Sequence, residues 1–115
     1  MTLRDIVRRV VIDPGKLTEY ALDPNHPTGR HKARVFERAL GFTPSTYRGL
    51  IEQLQTKALV AEAILHHRDA HGDHYRVDLD VTGSGAQRAT VRTGWLVSPG
   101  SEEAMLVTLY VRREG

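Results

Sequence analysis

Arg30, His31 and Lys32 head an amphipathic segment that directly follows the turn Asp23-Pro24-Asn25-His26-Pro27-Thr28-Gly29. The first turn of a helix exposes unpaired backbone N–H groups and the positive end of the helix dipole. Three basic side chains at that spot suit an anion such as a phosphate or a carboxylate. Pro24 and Pro27 fix the approach of the chain, Thr28 is a good N-cap, and Gly29 lets a backbone or ligand come close. Lys32 begins the stripe 32, 36, 40 that also carries Phe36 and Leu40. It therefore leans toward the sheet, either to meet a ligand or merely to lie along apolar surface. His26 and His31 flank the basic start, where an imidazole can shuttle protons near neutral pH. His26, between Asn25 and Pro27, equally suits a turn residue whose ring closes the loop by a hydrogen bond.

A second group sits near the end of the chain. Thr90, Arg92 and Gly94 share one face of a strand, and Thr108, Tyr110 and Arg112 share one face of the next. A register that brings these faces together sets Arg92 beside Thr108 and Tyr110. A guanidinium there can hold a phosphate bidentately while the hydroxyls orient it. The competing reading is an ordinary half-solvated sheet. His66, His67, His71 and His74 are close in sequence, but three of them flank one turn and none has a Glu at helical spacing. Zinc wants three or four ligands in defined geometry, so a surface turn is the preferred reading and no metal is expected. No glycine-rich nucleotide loop or nucleophile elbow is present, and no cofactor is expected.

The elements that must position these residues follow from periodicity. Residues 1–12 read as an arm or a short element. Asp13-Pro14 opens a short helix over about 14–22. A second helix runs from about Gly29 to Leu40, closed by Gly41 as a left-handed C-cap. Thr43-Pro44 opens a third, striped by Tyr47, Leu50, Ile51, Leu54 and Ala58, that ends near Ala61. From there the period changes from 3.6 to 2. Strands are expected over 62–68, 74–81, 88–98 and 105–112, with turns at 69–73, 82–86 and 99–103. The fold class is therefore α+β, with three N-terminal helices followed by an antiparallel sheet of about four strands. Helices over 13–61 and a sheet over 62–113 make one domain spanning 1–115, with Phe36, Leu40, Tyr47, Leu50, Leu54, Val77, Leu79 and Trp95 in one core.

Composition bounds the function. The 115 residues carry 40% hydrophobic and 26% charged side chains, which is globular and not disordered. Sixteen Lys and Arg against 14 Asp and Glu give a net charge of only +2, so no overall basic field points to nucleic acid; local clusters must. There is no cysteine, hence no disulfide or thiolate metal site. No apolar run approaches the roughly 20 residues that span a bilayer. The first nine residues place charges inside their only apolar stretch, unlike a secretory signal, so a cytoplasmic protein without a membrane partner is expected.

The pattern Leu17-x-x-Tyr20-x-Leu22-Asp23-Pro24-x-His26-Pro27-x-Gly29-x-x-Lys32-Ala33-x-x-Phe36-x-x-x-Leu40-Gly41-Phe42 resembles the N-terminal signature of a family of small bacterial domains of unknown function. Similar segments occur at the C-termini of bacterial polymorphic and contact-dependent toxins, grouped with the barnase, EndoU, colicin and RelE-like ribonuclease fold. Val91-Arg92-Thr93-x-Trp95 and Val107-Thr108-x-Tyr110 resemble the last two strands of that group. The match departs at Asp23, where the toxin pattern usually has Asn, and at Val111, where Pro is common. The resemblance implies a metal-independent ribonuclease of the toxin type, acting on RNA phosphodiesters. His31 or His26 would then be the acid or base, Lys32 and Arg92 would hold the phosphate with Gly29 and Arg30, and Thr108 and Tyr110 would position it. RNA and an inhibitor or antitoxin protein would be the partners. The alternative is a non-catalytic protein- or RNA-binding module, an accessory or degenerate partner in a toxin–antitoxin or phage locus.

Overall fold

The computed structural model describes residues 1–112; residues 113–115, the end of the expected sheet segment and of the 1–115 domain, lie outside the described residues. The chain opens with a single 3-10 turn, Leu3–Asp5, and a short strand, β1 (Arg9–Val11). A five-residue π-helical turn, Leu17–Ala21, leads into the Asp23–Thr28 loop. Two helices follow, α1 (Arg30–Leu40) and α2 (Tyr47–Lys57), the second entered through a 3-10 turn over Pro44–Thr46. Four strands complete the fold: β2 (Ala63–Asp69), β3 (Gly72–Thr82), β4 (Arg88–Val97) and β5 (Glu103–Val111).

The expected three N-terminal helices and four antiparallel strands are therefore corrected. The sheet has five strands in the order β1-β5-β4-β3-β2, and it is mixed, because β1 runs parallel to β5. The main helices lie in the middle of the chain, not at its start. The short helix expected over about 14–22 is present over residues 15–21, with the π turn Leu17–Ala21 as its main part and Leu17, Ala21 and Leu22 buried completely or nearly so. Parallel pairing needs a long crossover, and nearly the whole chain between residues 11 and 103 supplies it. The register sets Arg9 opposite Glu103, whose side chains form an ion pair at 2.8 Å.

Strict alternation over β3 sends Tyr75, Val77, Leu79 and Val81 inward, opposed on β4 by Trp95, Thr93, Val91 and Ala89 in turn. Leu3, Leu17, Phe36, Leu40, Leu50 and Leu54 close over them from the turns and helices. Tyr47 packs only at the edge of this core, half-buried. Full burial of a side chain the size of Phe36 or Leu54 contributes about 1.5–3 kcal/mol. On β5 the alternation breaks. Gly94 pairs with Thr108 but Trp95 with Leu106, so Val107 is an extra residue. This bulge lets Leu106 and Leu109 both face inward while Thr108 and Tyr110 face outward. α1 ends as its Gly41 suggests, with φ 72 and the Gly41 N–H donating to the Glu37 carbonyl.

Candidate functional site

The outer face of the sheet carries a concavity of about 240 Å³. It is bordered by His66 on β2, His74 and Arg76 on β3, Arg92 and Gly94 on β4, and Val107, Thr108 and Tyr110 on β5. Its floor is kept low by Gly94, where an added Cβ would come within 2.9 Å of the Thr108 methyl. Beneath the floor Trp95 donates its indole N–H to Thr93 Oγ1, which donates in turn to the Val77 carbonyl, each at 2.7 Å. The polar groups under the groove are thus satisfied and leave its surface chemistry to the outward residues.

Arg92 pairs across the ladder with Tyr110, and Thr108 with Gly94, so the polar faces of β4 and β5 do coincide. Lys32 reaches them from α1: its Nζ donates to Thr108 Oγ1 at 3.2 Å and lies 5.1 Å from the Tyr20 ring centroid and 5.9 Å from that of Tyr110. Lys32, Arg92, Thr108 and Tyr110 are therefore one neighbourhood. Short β1 makes this possible, because it pairs only with Glu103–Met105 and leaves the rest of that β5 edge to α1 and the π turn. Lys16 uses the same edge, donating to the Val107 carbonyl.

Arg92 has a partner that sequence reasoning missed. Asp78, directly opposite on β3, takes two hydrogen bonds from it at 2.8 and 3.0 Å. These bonds raise the Arg92 pKa and hold the Asp78 carboxyl below its ordinary value. Arg112 also donates to Asp78, at 3.1 Å. By contrast, none of the ion pairs among the described residues involves Lys32 or Arg76.

The start of α1 is occupied differently from expectation. His26 Nδ1 accepts the backbone N–H groups of Thr28 (3.0 Å) and Gly29 (2.8 Å), and the His26 carbonyl accepts that of Arg30. The imidazole thus closes the turn just before α1, and no side chain caps the helix, the part expected of Thr28. Its ring also meets Tyr20 edge-on at 4.8 Å. Gly29 is needed for packing: a Cβ there would sit 2.4 Å from the Tyr20 carbonyl oxygen. The Thr28, Gly29 and Arg30 N–H groups are therefore spent on His26. Arg30 and His31 are exposed and lie outside the groove lining.

The histidines of the β2–β3 hairpin do gather. A bulge between Leu65 and His67 lets consecutive His66 and His67 meet edge to face at 5.4 Å, with His66 at the groove. His67 pairs across the ladder with His74, their rings stacked at 4.2 Å. Asp69 Oδ2 lies 2.9 Å from His74 Nε2 and 3.3 Å from His67 Nε2. Asp78 and Arg76 are thus the missed residues of the site, and their only sequence signal was the alternating outward face of β3; His66, His74 and Asp69 were legible only as parts of a histidine-bearing turn.

The chain belongs to a family described as a domain of unknown function (DUF6883), whose match covers residues 2–113. No curated protein and no solved structure matches it. Among the described residues no helix is long and apolar enough to cross a membrane.

Proposed function

We propose that the groove on the outer sheet face binds and cleaves RNA phosphodiesters without a metal, as a ribonuclease of the toxin type. What supports the reading is the charge arrangement: Arg76, which lines a groove that also holds two imidazoles and two hydroxyls, and Lys32, which reaches its rim through Thr108, have no carboxylate partner among the described residues. In the proposed mechanism a phosphodiester lies across Gly94. His74, whose Nε2 is engaged by Asp69, takes the 2′-OH proton on Nδ1. His66 protonates the leaving 5′-oxygen. Lys32 and Arg76 stabilise the charge that develops on the phosphate, with Thr108 and Tyr110 orienting it. His26 and His31 drop out of this scheme, one by its bonds to the Thr28 and Gly29 backbone and the other by its position. A cytoplasm containing the active enzyme would need an inhibitor protein.

A binding module without catalysis is the second reading, favoured by the Arg92–Asp78 pair, which already neutralises one of the groove's cations. Purified protein should cleave RNA in EDTA and spare DNA, which lacks the attacking 2′-OH. Lys32→Ala or Arg76→Ala should slow cleavage by about two orders of magnitude, the size of losing one charge-stabilising donor. Wild-type protein that binds RNA but leaves it intact would establish the second reading instead.

A further inference from the structure

We infer that His67, Asp69 and His74 form a binding site for a borderline divalent transition metal of the zinc class at the turn of the β2–β3 hairpin. Their ligand atoms, two imidazole nitrogens and one carboxylate oxygen, all lie within 4.8 Å of one another. A tetrahedral ion with bonds of about 2.0–2.1 Å holds its ligand atoms roughly 3.3 Å apart. The Asp69 Oδ2 distances to the two Nε2 atoms, 2.9 and 3.3 Å, are already close to that spacing. Rotation of a side chain closes the remainder: His67 is about half exposed, so its ring is free to turn toward the held Asp69 carboxylate. Two nitrogen donors and one carboxylate, with solvent completing the shell, suit zinc and its neighbours better than magnesium or calcium.

The carboxylate is also prepared for the role. Asp69 Oδ1 accepts the backbone N–H groups of His71 (2.9 Å) and Gly72 (3.3 Å), which fixes the group and turns Oδ2 toward both imidazoles. Outer contacts of this kind orient first-contact ligands in metal sites. Helical spacing, the usual local cue, is missing because the convergence comes from cross-strand pairing: His67 stands opposite His74, and Asp69 follows two residues on along the same strand.

The test uses the full chain, stripped with EDTA and then freed of it. Titration with Co²⁺, read by visible absorption, and with Zn²⁺, read by calorimetry, should give one ion per chain. His67→Ala and Asp69→Asn should each weaken binding by at least about tenfold, whereas His71→Ala, in the same turn but outside the ligand set, should not. In wild-type protein, which needs no variant to fold, Zn²⁺ should shift the imidazole NMR signals of His67 and His74. Binding that is equal in all variants, no binding up to millimolar Zn²⁺, or shifts confined to His66 and His71 would each overturn the assignment.

Discussion

Replacing His26 with alanine separates a structural imidazole from a catalytic one. The ring accepts two backbone N–H groups at the start of α1 and packs edge-on against Tyr20. Losing the turn-closing hydrogen bonds costs about 1 kcal/mol, and losing an aromatic pair contributes about 0.5–1.5 kcal/mol more. His26→Ala should therefore destabilise the protein by roughly 1.5–2.5 kcal/mol on these two contributions. For a chain of 115 residues each kcal/mol moves the melting midpoint by about 4 °C, so a drop of about 6–10 °C is expected. His26→Asn keeps a short side-chain acceptor for the Thr28 and Gly29 N–H groups and should recover about half of the loss. Urea unfolding gives the stabilities, and RNA cleavage is measured at a temperature where both variants are fully folded. Cleavage per folded molecule should stay within about threefold of wild type, well short of the 10²–10⁴ that a lost general acid or base costs. An unchanged melting midpoint together with a hundredfold loss of cleavage would refute the turn-closing role and return His26 to the chemistry.

Gly29→Ala should be destabilising by about 1–3 kcal/mol in urea unfolding, because its Cβ would strike the Tyr20 carbonyl oxygen and both groups belong to the main chain. Asp69 has its carboxyl lowered to about 2, chiefly by the His71 backbone N–H, so its contribution to the hairpin is complete above the unfolded value of 3.8 and is lost as pH falls through about 2. Carboxyl NMR titration should place its midpoint near 2, with the His71 and Gly72 amides moving in step; a midpoint near 4 would contradict the anchoring. Saturating Zn²⁺ should slow RNA cleavage, since an imidazole metallated on Nε2 keeps its proton on Nδ1 and accepts no other. Zinc that binds while cleavage continues unchanged would remove His74 as the base.

The parts of the fold legible in the sequence were those with a sustained period. The change from the Leu50, Leu54, Ala58 stripe of α2 to the alternation of Tyr75, Val77 and Leu79 marks where helix gives way to sheet, and it needs only local information. β1 had no such signal. Three residues, Arg9–Val11, cannot display a period, and their pairing is decided by Glu103–Met105 at the far end of the chain. The short helix over about 14–22 was legible from Asp13-Pro14, but its π form was not, because the wider turn shows only in hydrogen bonds such as that from the Leu22 N–H to the Leu17 carbonyl.

The candidate site divides along the same line. Lys32 was legible because residues four apart on a helix share a face, and its stripe runs into Phe36 and Leu40, which are fully buried. Arg92, Thr108 and Tyr110 were legible because alternation turns them outward, although the Val107 bulge decides that the two faces meet. Asp78 was not, since nothing local marks one outward acid of β3 as the partner of an arginine on β4. That cross-strand pairing changes the electrostatics most. Arg92, taken alone, looks like the obvious phosphate holder, yet its guanidinium is half spent on Asp78. The cations left uncommitted are Lys32, which only helical periodicity points to, and Arg76, which nothing in its own neighbourhood distinguishes from Asp78 or Asp80. Charge in this groove is thus decided by pairing across the sheet and not by the count of basic residues. That is why a chain of net charge +2 can still present a locally cationic surface.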